Sequence, residues 1–144
     1  MSIITLVRGL PGSGKTSFAN KGLDKAVAAD DYFVDNNGVY NFNPSKLGEA
    51  HTWCYKRVME EINVGGNVTV HNTFSQRWEM EQYLSLAEEE VIKVFVVDLF
   101  DGGCNDEELF ERNSHGVPLK TIKAMRERWE HDWRVGNPLP PWER

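Results

Sequence analysis

Cysteine is scarce in this chain: Cys54 and Cys104 are the two, with no C-x-x-C spacing. That excludes a disulfide-stapled scaffold and fits a reducing, cytoplasmic setting. Zinc is disfavoured as well, because His51 and Cys54, three apart on an expected helix, lack further ligands. Long apolar runs are missing: no stretch approaches the ~20 residues of a membrane-spanning helix, so no membrane partner is expected. An apolar strand is expected from the very start of the sequence, which leaves no pattern of a secretory signal. Positive charge is in deficit, with a net charge of −6. That argues against broad, non-specific nucleic-acid binding and leaves a local basic site open. Repeats, linkers and low-complexity tracts are absent too, so residues 1–144 read as one domain with a sizeable core.

What is present is a phosphate-binding loop. Gly9-Leu10-Pro11-Gly12-Ser13-Gly14-Lys15-Thr16 fits G-x-x-x-x-G-K-[ST]. An apolar, β-branched segment precedes it and a helix-permissive one follows, which is the strand–loop–helix context the chemistry needs. Glycines let backbone N–H groups turn inward around a phosphate, and the helix N-terminus adds partial positive charge. Lys15 is suited to the β- and γ-phosphates, and the Thr16 hydroxyl to Mg²⁺. The expected ligands are therefore ATP and Mg²⁺, cradled by Gly9, Pro11, Gly12, Ser13, Gly14, Lys15 and Thr16. A chain of 144 residues leaves no room for the modules of a motor ATPase and favours a compact kinase.

Strands are expected over 2–8, 25–29, 67–73 and 91–100, the last a near-continuous apolar run suited to a central parallel strand. Helices are expected over 15–22, from a Ser45 cap to 63, over 76–89 after a Ser75 cap, over 106–113, and from Pro118 to 133. Asn37-Gly38 marks a small hairpin or flap. The alternation implies an α/β fold, a parallel sheet with helices on both faces. Ligands then gather at the carboxyl ends of the strands.

Asp30 and Asp31 follow a strand end there. A carboxylate beside the γ-phosphate suits the base that orients an acceptor hydroxyl and takes its proton. Asp30 is the first choice, and Asp31 the fallback or a substrate contact. Asn72 and Thr73 end the third strand, placed either to contact substrate or to cap the next helix. Arg112 and His115 lie on a lid-like stretch, about 105–118, bounded by Gly116 and Pro118. Tyr32, Phe33, Tyr40, Phe42 and Trp53 offer ring faces for stacking a base, though most aromatics belong to cores.

Taken with Tyr40-Asn41-Phe42, Trp78-Glu79, Arg112-Asn113 and His115-Gly116-Val117-Pro118, these pieces resemble the small P-loop kinase family that includes the kinase domain of phage polynucleotide 5′-kinase. The resemblance implies that Asp30 activates the acceptor hydroxyl and that Arg112 contacts the transferred phosphate. Two substrate features depart from it: Phe33 and Val34 stand where an arginine is expected, and His115 stands in place of a second lid arginine. His71-Asn72 also replaces an expected aspartate. The function implied is transfer of the γ-phosphate of ATP to a 5′-hydroxyl of a polynucleotide, or to the hydroxymethyl group of a modified base in DNA, as similar phage enzymes do. Alternatives are a nucleoside or small-metabolite kinase and a non-catalytic nucleotide-binding regulatory module. A monomer or small homo-oligomer is expected.

Overall fold

The computed structural model describes residues 2–144. Its centre is β1 (Ile3–Gly9), where the apolar alternation puts Ile4 and Leu6 out of contact with solvent. β1 pairs in parallel with β3 (Val68–Asn72) on one side and β4 (Lys93–Phe100) on the other, and β2 (Lys25–Val27) pairs in parallel with β3. The sheet order is β2-β3-β1-β4. β4 is thus an edge strand, not the central one its apolar run suggests. Its residues are half-buried or exposed, with Phe95 53% exposed, whereas every residue of β3 is buried. An apolar run reports that a strand has two apolar faces; it does not say how many neighbours it has.

α2 (Leu47–Asn63) and α3 (Arg77–Glu89) cover one face, where Cys54, Val58, Met80 and Tyr83 pack with Ile4, Leu6, Val68 and Val70. α1 (Lys15–Asn20) packs on β1 and β3 and buries Ala19 outside that cluster. α4 (Asp106–Arg112) and α5 (Leu119–Glu127) enclose a second, smaller core of Leu10, Leu109, Ile122 and Trp129 at the carboxyl edge of the sheet. Among the described residues no helix is long and apolar enough to cross a membrane.

Three local expectations are corrected. Asn43, not Ser45, caps the turn into α2, its Oδ1 accepting from the Ser45 N–H at 3.1 Å. Ser75 does not cap α3; its hydroxyl bonds Glu79 and receives Arg128, while Glu79 takes the Gln76 N–H at 2.9 Å. α5 ends at Glu127, short of Trp133, because the chain leaves the helix axis to bond the loop after β3 and the Arg8 side chain. There the Glu130 N–H donates to the Ser75 carbonyl at 2.8 Å, and Trp129 turns its ring under Arg8.

Candidate active site

The phosphate loop is stitched to both neighbouring strands. The Gly9 N–H donates to the Thr73 carbonyl at 3.2 Å and the Leu10 N–H to the Phe100 carbonyl at 2.8 Å. Gly12 (φ 83°) is needed twice over: its φ is left-handed, and an added Cβ would lie 2.4 Å from the Leu109 carbonyl oxygen. The loop and the C-terminal half of α4 therefore touch backbone to backbone. Lys15 folds over the loop, donating to the Gly9 and Leu10 carbonyls at 2.8 and 3.1 Å. Burial pushes its ammonium down to about 8, with Asp30 pulling the other way.

The residues present fit a triphosphate and Mg²⁺. The buried Ser13 hydroxyl makes no hydrogen bond within the described residues, and it lies inside the glycine loop. Thr16 is exposed at the start of α1. No group of three or more His, Cys, Asp or Glu side chains gathers to hold a metal among the described residues.

Facing the loop is a 3₁₀ turn, Ala29–Phe33, entered directly from β2. Two side chains fix its backbone. Asn72, buried at the end of β3, accepts the Ala29 N–H at 2.9 Å, and its amide reaches Cys54 Sγ at 3.9 Å. Asp31 turns back to accept the Ala28 N–H at 3.1 Å. Asp31 and Asn72, both expected as substrate contacts, thus lie against this turn's backbone. Thr73 contributes its carbonyl to the phosphate loop.

Asp30 points away from the turn. Its Oδ1 accepts from the Tyr40 hydroxyl at 3.2 Å and its Oδ2 lies 3.0 Å from His115 Nδ1. Burial alone would raise the Asp30 carboxyl. The His115 contact, the Tyr40 hydroxyl and the Lys15 charge outweigh that and hold it below the ordinary carboxylate range. The same contact with Asp30 raises the His115 imidazole, against an opposing effect of burial. Tyr40 reaches Asp30 because Asp35–Val39 form a turn and Val34 bridges Tyr40 antiparallel, so the flap folds back on itself. Tyr40 and His115 also stack, centroids 4.4 Å apart at 21°.

Arg112 ends α4 with Nη1 2.9 Å from Cys104 Sγ. It therefore sits beside the phosphate loop through α4, without touching Asp30. Asn113 shapes the lid turn, accepting the Val117 N–H at 2.9 Å and donating to the Phe110 carbonyl at 2.8 Å.

Sequence reasoning missed three residues. Tyr40, whose ring the sequence offers for stacking, is a hydrogen-bond partner of Asp30; the Asn37-Gly38 turn is the signal that places it. His71 is buried at the end of β3, its imidazole lowered by burial, with Asp31, Lys15, Asp30 and His115 also acting on its charge. Arg8 is fully buried: it donates to the Phe74, Ser75 and Glu130 carbonyls, pairs with Asp98 at 3.1 Å and lies 4.1 Å over Trp129. Nothing in an apolar strand announces a residue that joins the sheet to the segment after α5.

The AAA domain family profile matches residues 4–131. NEDD4-binding protein 2 of Homo sapiens is 35% identical over 136 residues, 89% of this chain and 8% of that protein. YLP motif-containing protein 1 of Homo sapiens is 25% identical over 161 residues, 89% of this chain and 7% of that protein. The chain thus spans less than a tenth of these relatives. Among solved structures, a chain of the Pnkp1/Rnl/Hen1 RNA repair complex superposes with a TM-score of 0.68 at 19% identity, over 88% of this chain and 43% of that one. A gluconokinase from Sinorhizobium meliloti 1021 superposes with a TM-score of 0.54 at 16% identity, over 88% and 74%. At these identities the structural likenesses speak to the fold alone.

Proposed function

The chain belongs to the AAA domain family, with a P-loop kinase-like fold, and from that premise we propose an ATP- and Mg²⁺-dependent kinase acting on a hydroxyl of a nucleic-acid or nucleotide-like acceptor. Residues 1–144 act as one kinase domain whose lid covers about 105–118. The observation that carries this reading is one carboxylate, Asp30, placed where it feels the Lys15 charge and is covered by a lid side chain, His115.

Phosphoryl transfer asks mainly for positioning and charge stabilisation. The acceptor hydroxyl replaces Tyr40 or His115 as a donor to one Asp30 oxygen. As the new bond forms between the acceptor oxygen and the γ-phosphorus, the bond to the bridging oxygen of ADP breaks and Asp30 receives the hydroxyl proton. The lowered Asp30 keeps the carboxylate ionised at neutral pH and ready to accept that hydrogen bond. Lys15 and the loop N–H groups hold the phosphates, and Arg112 moves from Cys104 toward the transferred group. The Thr16 hydroxyl would hold Mg²⁺, which when bound would supply charge neutralisation at the phosphates.

The net charge of −6 favours a second acceptor class, a free nucleoside or small metabolite. One experiment separates them: transfer of labelled γ-phosphate to 5′-hydroxyl DNA and RNA, DNA containing 5-hydroxymethyluracil, nucleosides and sugar acids. Label on one acceptor, lost in Asp30→Asn, supports the kinase and names its substrate. Label on none of them, with ATP binding intact, overturns it in favour of a nucleotide-binding module.

A further inference from the structure

The flap and the 3₁₀ turn enclose a second feature that the phosphate chemistry does not use. An open pocket of about 550 Å³ lies between them, walled by Tyr32, Phe33 and Phe42 and rimmed by Asn41 and Lys46. Phe33 is its buried floor, set edge-on to Phe42 at 5.1 Å and 72° and to Tyr32 at 5.5 Å and 86°. Phe42 stays 49% exposed, so a large ring face is held at the surface by a ring beneath it.

One carboxylate and one ammonium line the pocket, and they differ in what already engages them. Asp35 is the lining carboxylate, and its Oδ1 is already engaged by the Asn37 and Val39 N–H groups at 2.8 and 3.0 Å. Lys46 is the lining cation and has no ion-pair partner among the described residues. Ring faces, the side-chain amides of Asn41 and Asn43 and one ammonium are the groups that recognise a base face, a base edge and a phosphate.

The pocket is coupled to the candidate active site by the turn itself. Asp30 and Phe33 lie on the same 3₁₀ turn, which puts them roughly 6 Å apart along its axis. A ligand anchored on Phe42 is thereby within reach of the carboxylate. We propose that this pocket is the acceptor-side nucleotide subsite, taking a nucleobase against Phe42 and Tyr32 with its phosphate on Lys46. The placement of the acceptor hydroxyl at Asp30 rests on the kinase reading above; the binding of a nucleotide does not.

Binding is therefore tested without turnover, on the full chain, by fluorescence anisotropy and competition. The probes are a short 5′-hydroxyl oligonucleotide, the same strand with its first two positions abasic, and a nucleoside monophosphate. Removing the bases weakens binding roughly 5- to 100-fold, the range for stacking on aromatic side chains. Phe42→Ala brings the base-bearing strand down to the abasic level, and Phe42→Trp restores it. Lys46→Ala weakens both strands and flattens the salt dependence by about one phosphate contact.

Competition by the monophosphate as strong as by the strand identifies a free nucleotide as the ligand; binding of the strand alone identifies a polynucleotide. Equal affinity for base-bearing and abasic strands, or binding of no probe, overturns the proposal. So does an unchanged affinity in Phe42→Ala with its circular dichroism intact. Should Phe42→Ala fail to fold, the wild-type base comparison and Lys46→Ala decide alone. Base-dependent binding without label transfer to any acceptor leaves the subsite standing and removes the kinase reading. Label transfer without base-dependent binding does the reverse.

Discussion

The two segments that meet over Asp30 are held in opposite ways. The 3₁₀ turn is anchored through its backbone: Asn72 takes the Ala29 N–H, Asp31 takes the Ala28 N–H, and Ala29 and Phe33 belong to the main core. The lid is anchored at its base by a core of five buried residues, with Arg126 binding Asp101, Asp106 and the Cys104 carbonyl at 2.7 to 2.9 Å. Its helix α4 has seven residues and α5 behind it nine, both too short to persist without that packing. Its contact with Asp30 is one side-chain pair next to Gly116 (φ 68°). The carboxylate's position thus belongs to the sheet, whereas its cover comes from His115 on the segment after α4.

Removing the shared group is the hardest test. Asp30→Asn keeps the anchored turn and loses the proposed base, so kcat should fall about 10²- to 10⁴-fold. ATP affinity and thermal midpoint stay near wild type; a variant that unfolds, or one as active as wild type, breaks the assignment.

Arg8 is the next largest, because it spans both regions. It ties the ends of β3 and β4 to the segment after α5. Arg8→Met keeps much of the volume and leaves Asp98 and three carbonyls without their partner. Calorimetry should show a loss of about 3–5 kcal/mol. If the lid core and the sheet unfold as separate transitions in that variant, the distinction between the two regions is sharpened into an energetic one.

How much of this was legible follows from what each feature depends on. The phosphate loop, the α/β class and the position of Asp30 at a strand end rest on local spacing, and the sequence carries them. The sheet order is not local: β4 reads as apolar whether it has one neighbour or two. Arg8 looked like the polar end of a strand because its partners lie 66 to 122 residues away. The end of α5 was misread for the same reason, since Ser75 and Arg8 draw the chain off the helix. Asn72 and Asp31 illustrate a subtler limit. Their residue types suit ligand contact and backbone anchoring equally, and the fold adds the anchoring bonds that the sequence does not show.

Asn72→Ala addresses the anchored side alone. It strands the buried Ala29 N–H, a loss of roughly 1–3 kcal/mol. A shifted turn misplaces Asp30, and kcat should drop by up to about 10²-fold with little change in KM for ATP. Asn72→Asp, which keeps an acceptor for the Ala29 N–H, should recover much of that rate. A raised KM for acceptor with kcat untouched would instead return Asn72 to substrate contact.

The smallest effect lies on the lid side, and its sign is fixed by the ionisation of the pair. His115 is raised above its ordinary 6.5 and Asp30 is lowered below its ordinary 3.8. The His115 contribution is therefore complete below pH 6.5 and lost as pH rises through its raised value. The Asp30 contribution is present above 3.8 and lost as pH falls through its lowered value. Between those limits both members of the His115–Asp30 pair are charged, with Asp31 supporting the imidazolium and Lys15 and His71 opposing it. Both side chains are more than a third exposed, so the pair contributes only about 0.2–1 kcal/mol and weakens further with salt. His115→Gln should cost that much at pH 6 and progressively less as pH rises through the raised His115 value. A proton titration of the His115 ring by NMR should give a midpoint above 6.5 in wild type and a lower one in Asp30→Asn. A midpoint that Asp30→Asn does not move would mean that the carboxylate is not what holds the lid, and the two regions would then meet by packing of His115 on Tyr40 alone.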